Sequence, residues 1–259
     1  MRQSSRNYIT LSCIGVALLA ASINHAQASL VNYPHLTPND PNQSVVLSDL
    51  LNGEFPGVVV GDKVFNQFFY STLPNDDMPD PQDVNVFGFQ DNDGNLGISF
   101  HGVFWDLPGG GPSDALIRYT VGVSRDGLAD GYRISDAHLF LEGVGVGDPN
   151  QNQMAYVAVD ESFQGINETL NGYASTLGGP KVQKLSDWVF FDELYTTLRV
   201  TKDILAYSGS DDTPAVVSVI DQSFSQTMIP EPSTIIVFAM FGLGLVSRRH
   251  RTPSQDVGH

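Results

Sequence analysis

The chain has 259 residues, 29 of them acidic and 13 basic, and a net charge of −16. That balance argues against nucleic acid or an anionic lipid surface as a partner, because both would be repelled. Its one cysteine, Cys13, lies in the first apolar run, so thiol catalysis and cysteine-ligated zinc are excluded from the chain beyond it.

At the N-terminus, Arg2 and Arg6 precede an apolar run over 9–21, and Ala26-Gln27-Ala28 follows. A basic flank, an apolar core and a small-x-small site are what signal peptidase recognises, so 1–28 is expected to be a signal peptide, recognised through Ala26 and Ala28 and cleaved to leave a mature chain from Ser29. The apolar run is shorter than the roughly 20 residues a permanent span needs. Between 29 and 229 the chain carries 27 acidic residues and 8 basic ones. A cysteine-free exported domain of about 200 residues must be held by its own apolar core, and that length suits one domain.

The period of this stretch is that of strands. Ala115, Ile117, Tyr119, Val121 and Val123 alternate with Leu116, Arg118, Thr120 and Gly122, the pattern of a half-buried strand. In chain order, further strands are expected at 45–50, 63–70, 84–89, 97–104, 138–142, 154–159, 198–202 and 216–220. The segment 186–197 fits neither period cleanly, since Trp188, Val189, Phe190, Phe191 and Leu194 crowd together, and a short helix or irregular crossover is expected there. Loops are expected at 73–83, 107–113, 143–151 and 208–213, and a linker at 228–233. Many short strands separated by Gly, Pro, Asn and Asp imply an all-β fold, an antiparallel jelly-roll-like β-sandwich over 29–227.

The last thirty residues change character. Pro230-Glu231-Pro232 precedes a 13-residue apolar run over 234–246, and Arg248, Arg249 and Arg251 close it. As a helix that run is about 20 Å long, against a bilayer core of about 30 Å. It predicts a short C-terminal transmembrane helix with the arginines on the cytoplasmic side, adequate for transient anchoring. Residues 228–251 then form a sorting tail and 252–259 a cytoplasmic extension. Proline-glutamate-proline, short helix and arginine cluster together resemble the C-terminal signal of the PEP-CTERM proteins of Gram-negative bacteria. The resemblance implies processing by an exosortase-like membrane enzyme and display at the cell surface or release, in organisms that make exopolysaccharide. More weakly, Gly61-Asp62-Lys63-Val64-Phe65, Gly97-Ile98-Ser99-Phe100, Ser135-Asp136-Ala137-His138-Leu139, Val200-Thr201-Lys202-Asp203-Ile204 and 218–226 resemble a β-rich module that accompanies such tails. That module implies a surface-displayed β-sandwich and no particular activity.

Sites for chemistry are sparse. Asp91-Asn92-Asp93-Gly94-Asn95 has the oxygen density of a calcium loop. The EF-hand glycine would fall on Leu96 and its bidentate acid on Gly102, so a tight hairpin turn is the simpler expectation. Asp76, Asp77 and Asp80, with Asp83, are a second calcium candidate on oxygen count, against a solvated mobile loop. His35, His101 and His138 are not at metal-ligand spacing and are expected to be ordinary residues. No nucleophile elbow or phosphate loop is present, and the glycines of 143–147 precede a polar loop rather than a helix. Trp105 and Trp188 are candidates for stacking on sugars, set against burial in the core. The sequence therefore points to a non-enzymatic, surface-displayed structural or interaction protein of the exopolysaccharide matrix. A calcium-dependent carbohydrate-binding module is the alternative, and a secreted glycosidase using two facing carboxylates a third.

Overall fold

The computed structural model describes residues 33–229, apart from 75, 152 and 210–212. The signal-peptide residues Ala26 and Ala28 and the tail residues Pro230, Glu231, Pro232, Arg248, Arg249 and Arg251 lie outside the described residues. Among those described, no helix is long and apolar enough to cross a membrane.

The described chain is an all-β antiparallel sandwich of two seven-stranded sheets. Sheet A runs in the order β10 (Val182–Lys184), β9 (Thr169–Ser175), β8 (Ala155–Phe163), β12 (Thr197–Ser208), β6 (Ser113–Val123), β3 (Lys63–Thr72) and β2 (Gly57–Val60). Sheet B runs β1 (Ser44–Val46), β4 (Asn85–Gln90), β5 (Leu96–Asp106), β13 (Ala215–Phe224), β7 (Tyr132–Glu142) and β11 (Ser186–Tyr195), with β14 (Gln226–Met228) also on β7.

Strand alternation builds the core as expected. In β6 every second side chain from Ser113 to Val123 is buried, and β12 alternates in the same way from Leu198 to Ser208. Tyr119 sits at the centre, its ring 6.1 Å from Phe65, 5.8 Å from Phe68 and 5.8 Å from Phe100 of the opposite sheet. Close-packed rings of this kind contribute beyond their buried area.

Three expectations are corrected. The predicted strand over 45–50 ends at Val46, and α1 (Leu47–Leu51) follows. Its Leu47 and Leu50 are buried at helical spacing, and Gly53, at φ +79°, takes the left-handed conformation that ends such a turn. The segment expected to be a helix or crossover is strand β11, paired to β7 from Ser186 to Phe190 and irregular only between Phe190 and Tyr195. Strand pairing also extends to Met228, and Ile229 N–H donates to Gly131 O, so the fold continues into the expected linker. The strands β2, β9, β10 and β14 were not foreseen; β10 and β14 have three residues each, too few to show a period.

The carboxylate-rich loop after β3 is tied down rather than solvated and mobile. Asp76 Oδ2 accepts from Leu73 N–H at 2.9 Å and Asp114 N–H at 3.3 Å, and its Oδ1 accepts from Met78 N–H at 3.3 Å. Asp77 Oδ2 accepts from Leu107 N–H at 2.8 Å. These bonds stitch the loop to the β5–β6 connection.

Candidate binding face

Residues directly opposite on neighbouring strands share a face, so register alone writes out the outer surface of sheet B. One row reads Asn85, His101, Val219, Glu142. The next reads Ser44, Phe87, Ser99, Asp221, Phe140, Ser186. A third reads Phe89, Gly97, Ser223, His138, Trp188, and Phe190 stands opposite Asp136 beyond it.

The central strands β5 and β13 place short groups, Gly97, Ser99, Asp221 and Ser223, along the middle of the face, while the flanking strands carry rings. Phe89 and Phe140 approach to 6.0 Å across the two strands that separate them, and Phe87 lies 4.3 Å from the His101 imidazole. The result is a groove of about 280 Å³, with Ser99 and Asp221 among its lining and the 39–41 loop as one wall. Asn39, at φ +59°, holds that wall in place: its side chain donates to Gln90 O at 2.9 Å and accepts from Gln90 N–H at 3.1 Å. Gly97 is required below. A Cβ there would lie 1.6 Å from Gln222 O, so β5 and β13 approach as closely as they do only because the side chain is absent.

Beyond His138, Trp188 and Phe190 stand 61 % and 64 % exposed, their rings edge-on at 5.1 Å. The core position expected for Trp188 is therefore wrong. Trp105 is half-buried on β5, opposite Val216. From β4 to β11 the face is roughly 19 Å across at about 4.8 Å per strand.

Its charge is negative. Burial, and then repulsion from Glu142, raises the Asp221 carboxyl to about 6. Burial lowers the His101 imidazole below its ordinary range, with Glu142 opposing, which favours the neutral ring that both donates and accepts. At the other end His138 lies between two carboxylates, Nε2 3.2 Å from Asp136 and Nδ1 3.8 Å from Asp91. The bond to Asp136 raises the His138 pKa against the opposing effect of burial. Burial pushes Asp91 up but is outweighed by hydrogen bonds from Ser223 Oγ and Asn95, leaving it below the usual carboxylate range. Ser223 Oγ donates to Asp91 at 2.6 Å and not to the imidazole, so this is an ion cluster and not a nucleophile with its base.

The calcium candidates do not converge. Asp91 Oδ1 accepts from Asp93 N–H and Asn95 N–H, both at 2.9 Å, and forms the expected turn between β4 and β5. Asp80 accepts from Gln82 Nε2 at 3.0 Å, while Asp76 and Asp77 bind backbone amides as described. Among the described residues, no three His, Cys, Asp or Glu side chains are placed to hold one metal ion. His101 and His138 do lie in strands as expected, yet each takes part in the face; His35 makes a bridge to β2 at Val59.

Phe87, Phe89, Phe140, Glu142, Phe190 and Asp221 were missed as site residues. Alternation held the signal, because outward positions of β4, β7 and β11 carry rings where solvent-facing polar groups are usual. The outer face of sheet A has a groove too, lined by Arg118 and Arg199, and it carries Tyr156, Tyr173 and Tyr207 at outward positions, while Phe69 is covered by the Arg118 guanidinium at 4.0 Å.

Comparison with protein families and with curated proteins finds no match. Among solved structures, the carbohydrate-binding module TmCBM61 in complex with β-1,4-galactotriose superposes with a TM-score of 0.25 and 11 % identity, over 61 % of this chain and 89 % of that one. A structure of carbohydrate-binding modules of promiscuous specificity from the β-sandwich superfamily gives a TM-score of 0.22 and 11 % identity, over 62 % and 56 %. Overlap at that level carries no argument, and the face stands on its own geometry.

Proposed function

We propose that the protein is an exported, non-enzymatic, polysaccharide-binding β-sandwich, delivered to the cell surface by its N-terminal signal peptide and PEP-CTERM-like tail. The observation that carries the reading is the ring-bearing outer face of sheet B. Exposed rings on a flat sheet stack on the apolar faces of sugar rings, while carboxylate, hydroxyl and imidazole groups between them take hydroxyl hydrogen bonds. The width of the face suits an oligosaccharide segment rather than one sugar. Asp40, Glu142, Asp221, Asp91 and Asp136 repel anions, which favours neutral or amino sugars over uronic acids. Asp76, Asp77 and Asp91 are engaged with backbone amides, so binding without calcium is proposed.

Calorimetry on the full-length chain tests this, with neutral β-glycan, chitosan and alginate as titrants in the presence of calcium or of a chelator. Heat with a neutral or amino glycan that persists in chelator and is absent with alginate is expected. Preference for alginate, or heat only with calcium, contradicts it. Intact mass of the mature protein tests the delivery: loss of residues 1–28 and of everything beyond about Pro232 is expected, and retention of Arg251 contradicts processing.

A hydrolase reading rests on one observation, the raised Asp221 carboxyl beside Glu142, since a general acid needs an elevated pKa next to a second carboxylate. It predicts reducing-end release that Asp221→Asn abolishes, whereas the binding reading predicts none from either protein.

A further inference from the structure

Three polar side chains occupy the middle of an otherwise apolar core. Lys202, Glu161 and Gln222 are 0 %, 1 % and 0 % exposed. Lys202 and Glu161 stand directly opposite one another on β12 and β8 of sheet A, and Gln222 reaches inward from β13 of sheet B. Lys202 Nζ contacts Glu161 Oε2 and also Gln222 Oε1, the latter at 2.5 Å. With a carbonyl bond of about 1.23 Å, the nitrogen lies within about 3.7 Å of the Gln222 amide carbon. That is close to the separation of roughly 3–3.5 Å from which a nucleophile attacks.

A plain ion pair fits this place poorly. An ammonium has three N–H donors, and two acceptors meet it. Glu161 Oε1 and Tyr119 Oη are buried with no hydrogen-bond partner, where a buried ion pair needs every lone pair satisfied. Burial drives the lysine pKa down and the glutamic acid pKa up, each towards its neutral form, against the attraction between the two groups. A neutral amine is a nucleophile, and an un-ionised carboxyl is a general acid.

We propose that Lys202 and Gln222 become joined by an intramolecular amide bond once the sheets pack, with Glu161 moving the protons. The Nζ lone pair attacks Cδ of Gln222 while the Glu161 carboxyl supplies a proton to the departing Nε2 group. The tetrahedral centre collapses with loss of ammonia, and Glu161 recovers a proton from Nζ. One C–N bond forms, one breaks, and no electrons are gained or lost. The product ties β12 of sheet A to β13 of sheet B across 20 positions of sequence. It would cross-link a fold that contains no cysteine, whatever the outer face binds.

The test is intact mass of the purified, folded full-length chain, followed by tandem mass spectrometry of its peptides. A mass lower by one ammonia than that of the chain as processed is expected, with the loss carried by a branched peptide joining Lys202 to Gln222. Separate peptides at unmodified mass from folded protein overturn the proposal. Lys202→Arg is expected to leave the mass undiminished, and Glu161→Gln likewise; a branched peptide in Glu161→Gln overturns the role of Glu161. Gln222→Glu keeps the shape of the side chain and guards against loss of folding. Its bond would release water, so a mass lower by one water is expected, and a persisting ammonia loss places the modification elsewhere and overturns the assignment.

Discussion

Replacing Asp221 with asparagine measures how far the floor of the groove opposes folding. Asp221 is 4 % exposed, and burial, then Glu142, raises its carboxyl to about 6 from an ordinary 3.8. Between those values the folded protein holds a proton that the unfolded chain has released, so stability falls as pH rises through the window. A shift of about 2 units at roughly 1.36 kcal/mol each gives about 3 kcal/mol, lost in full above pH ~6. Asparagine has the same shape without the charge. Asp221→Asn is therefore expected to be about 3 kcal/mol more stable than the parent near pH ~8 and nearly equal near pH ~4. Urea unfolding followed by tryptophan fluorescence across that range, at constant ionic strength, reads the difference. Other titrating groups, including Asp114, which burial and Asp203 also raise to about 6, are common to both proteins and cancel. A difference independent of pH, or an asparagine variant less stable at alkaline pH, refutes the reasoning.

Trp188→Ala is expected to change stability by no more than about 0.5 kcal/mol, because the ring is exposed, yet to weaken glycan binding about tenfold or more. Equal affinity in calorimetry would remove Trp188 from the face. Gly97→Ala is expected to cost at least ~3 kcal/mol, since the added carbon meets backbone and not a movable side chain; an unchanged Tm contradicts the close approach of β5 and β13. The raised His138 pKa means its pairing stabilises fully below the ordinary 6.5 and is lost as pH rises through the raised value. Asp91 and Asp136 are lowered, so their share is present above 3.8 and lost as pH falls through the lowered values. Parent protein should thus lose Tm on passing above neutrality by an amount that His138→Ala does not show, and parallel curves would exclude the cluster as the cause.

The two segments assigned wrongly explain each other. Residues 47–53 hold apolar side chains at helical spacing and a glycine at the end, but they follow directly on Val45 and Val46 of β1, so the strand looks longer than it is. In 186–195 the alternation is present, with Val189 and Phe191 less exposed than Trp188 and Phe190. It was hidden because both faces carry rings, and a strand apolar on both sides has no period to detect. The same exposed rings that obscured the strand make the candidate site.

Strand period, turn residues and the lack of cysteine after Cys13 determined by themselves that this is an antiparallel all-β domain with an apolar core, since alternation of faces is a local property of the chain. Which strands become neighbours is not local. Only the tertiary structure put β5 beside β13 and β13 beside β7, and so brought Phe87, Ser99, Asp221 and Phe140 into one row from three distant parts of the sequence. The same pairing set Lys202 among buried groups. By pattern it is one more inward position of β12; Glu161, 41 residues away, is brought to it by the pairing of β8 with β12, and Gln222, 20 residues away, by the packing of the two sheets.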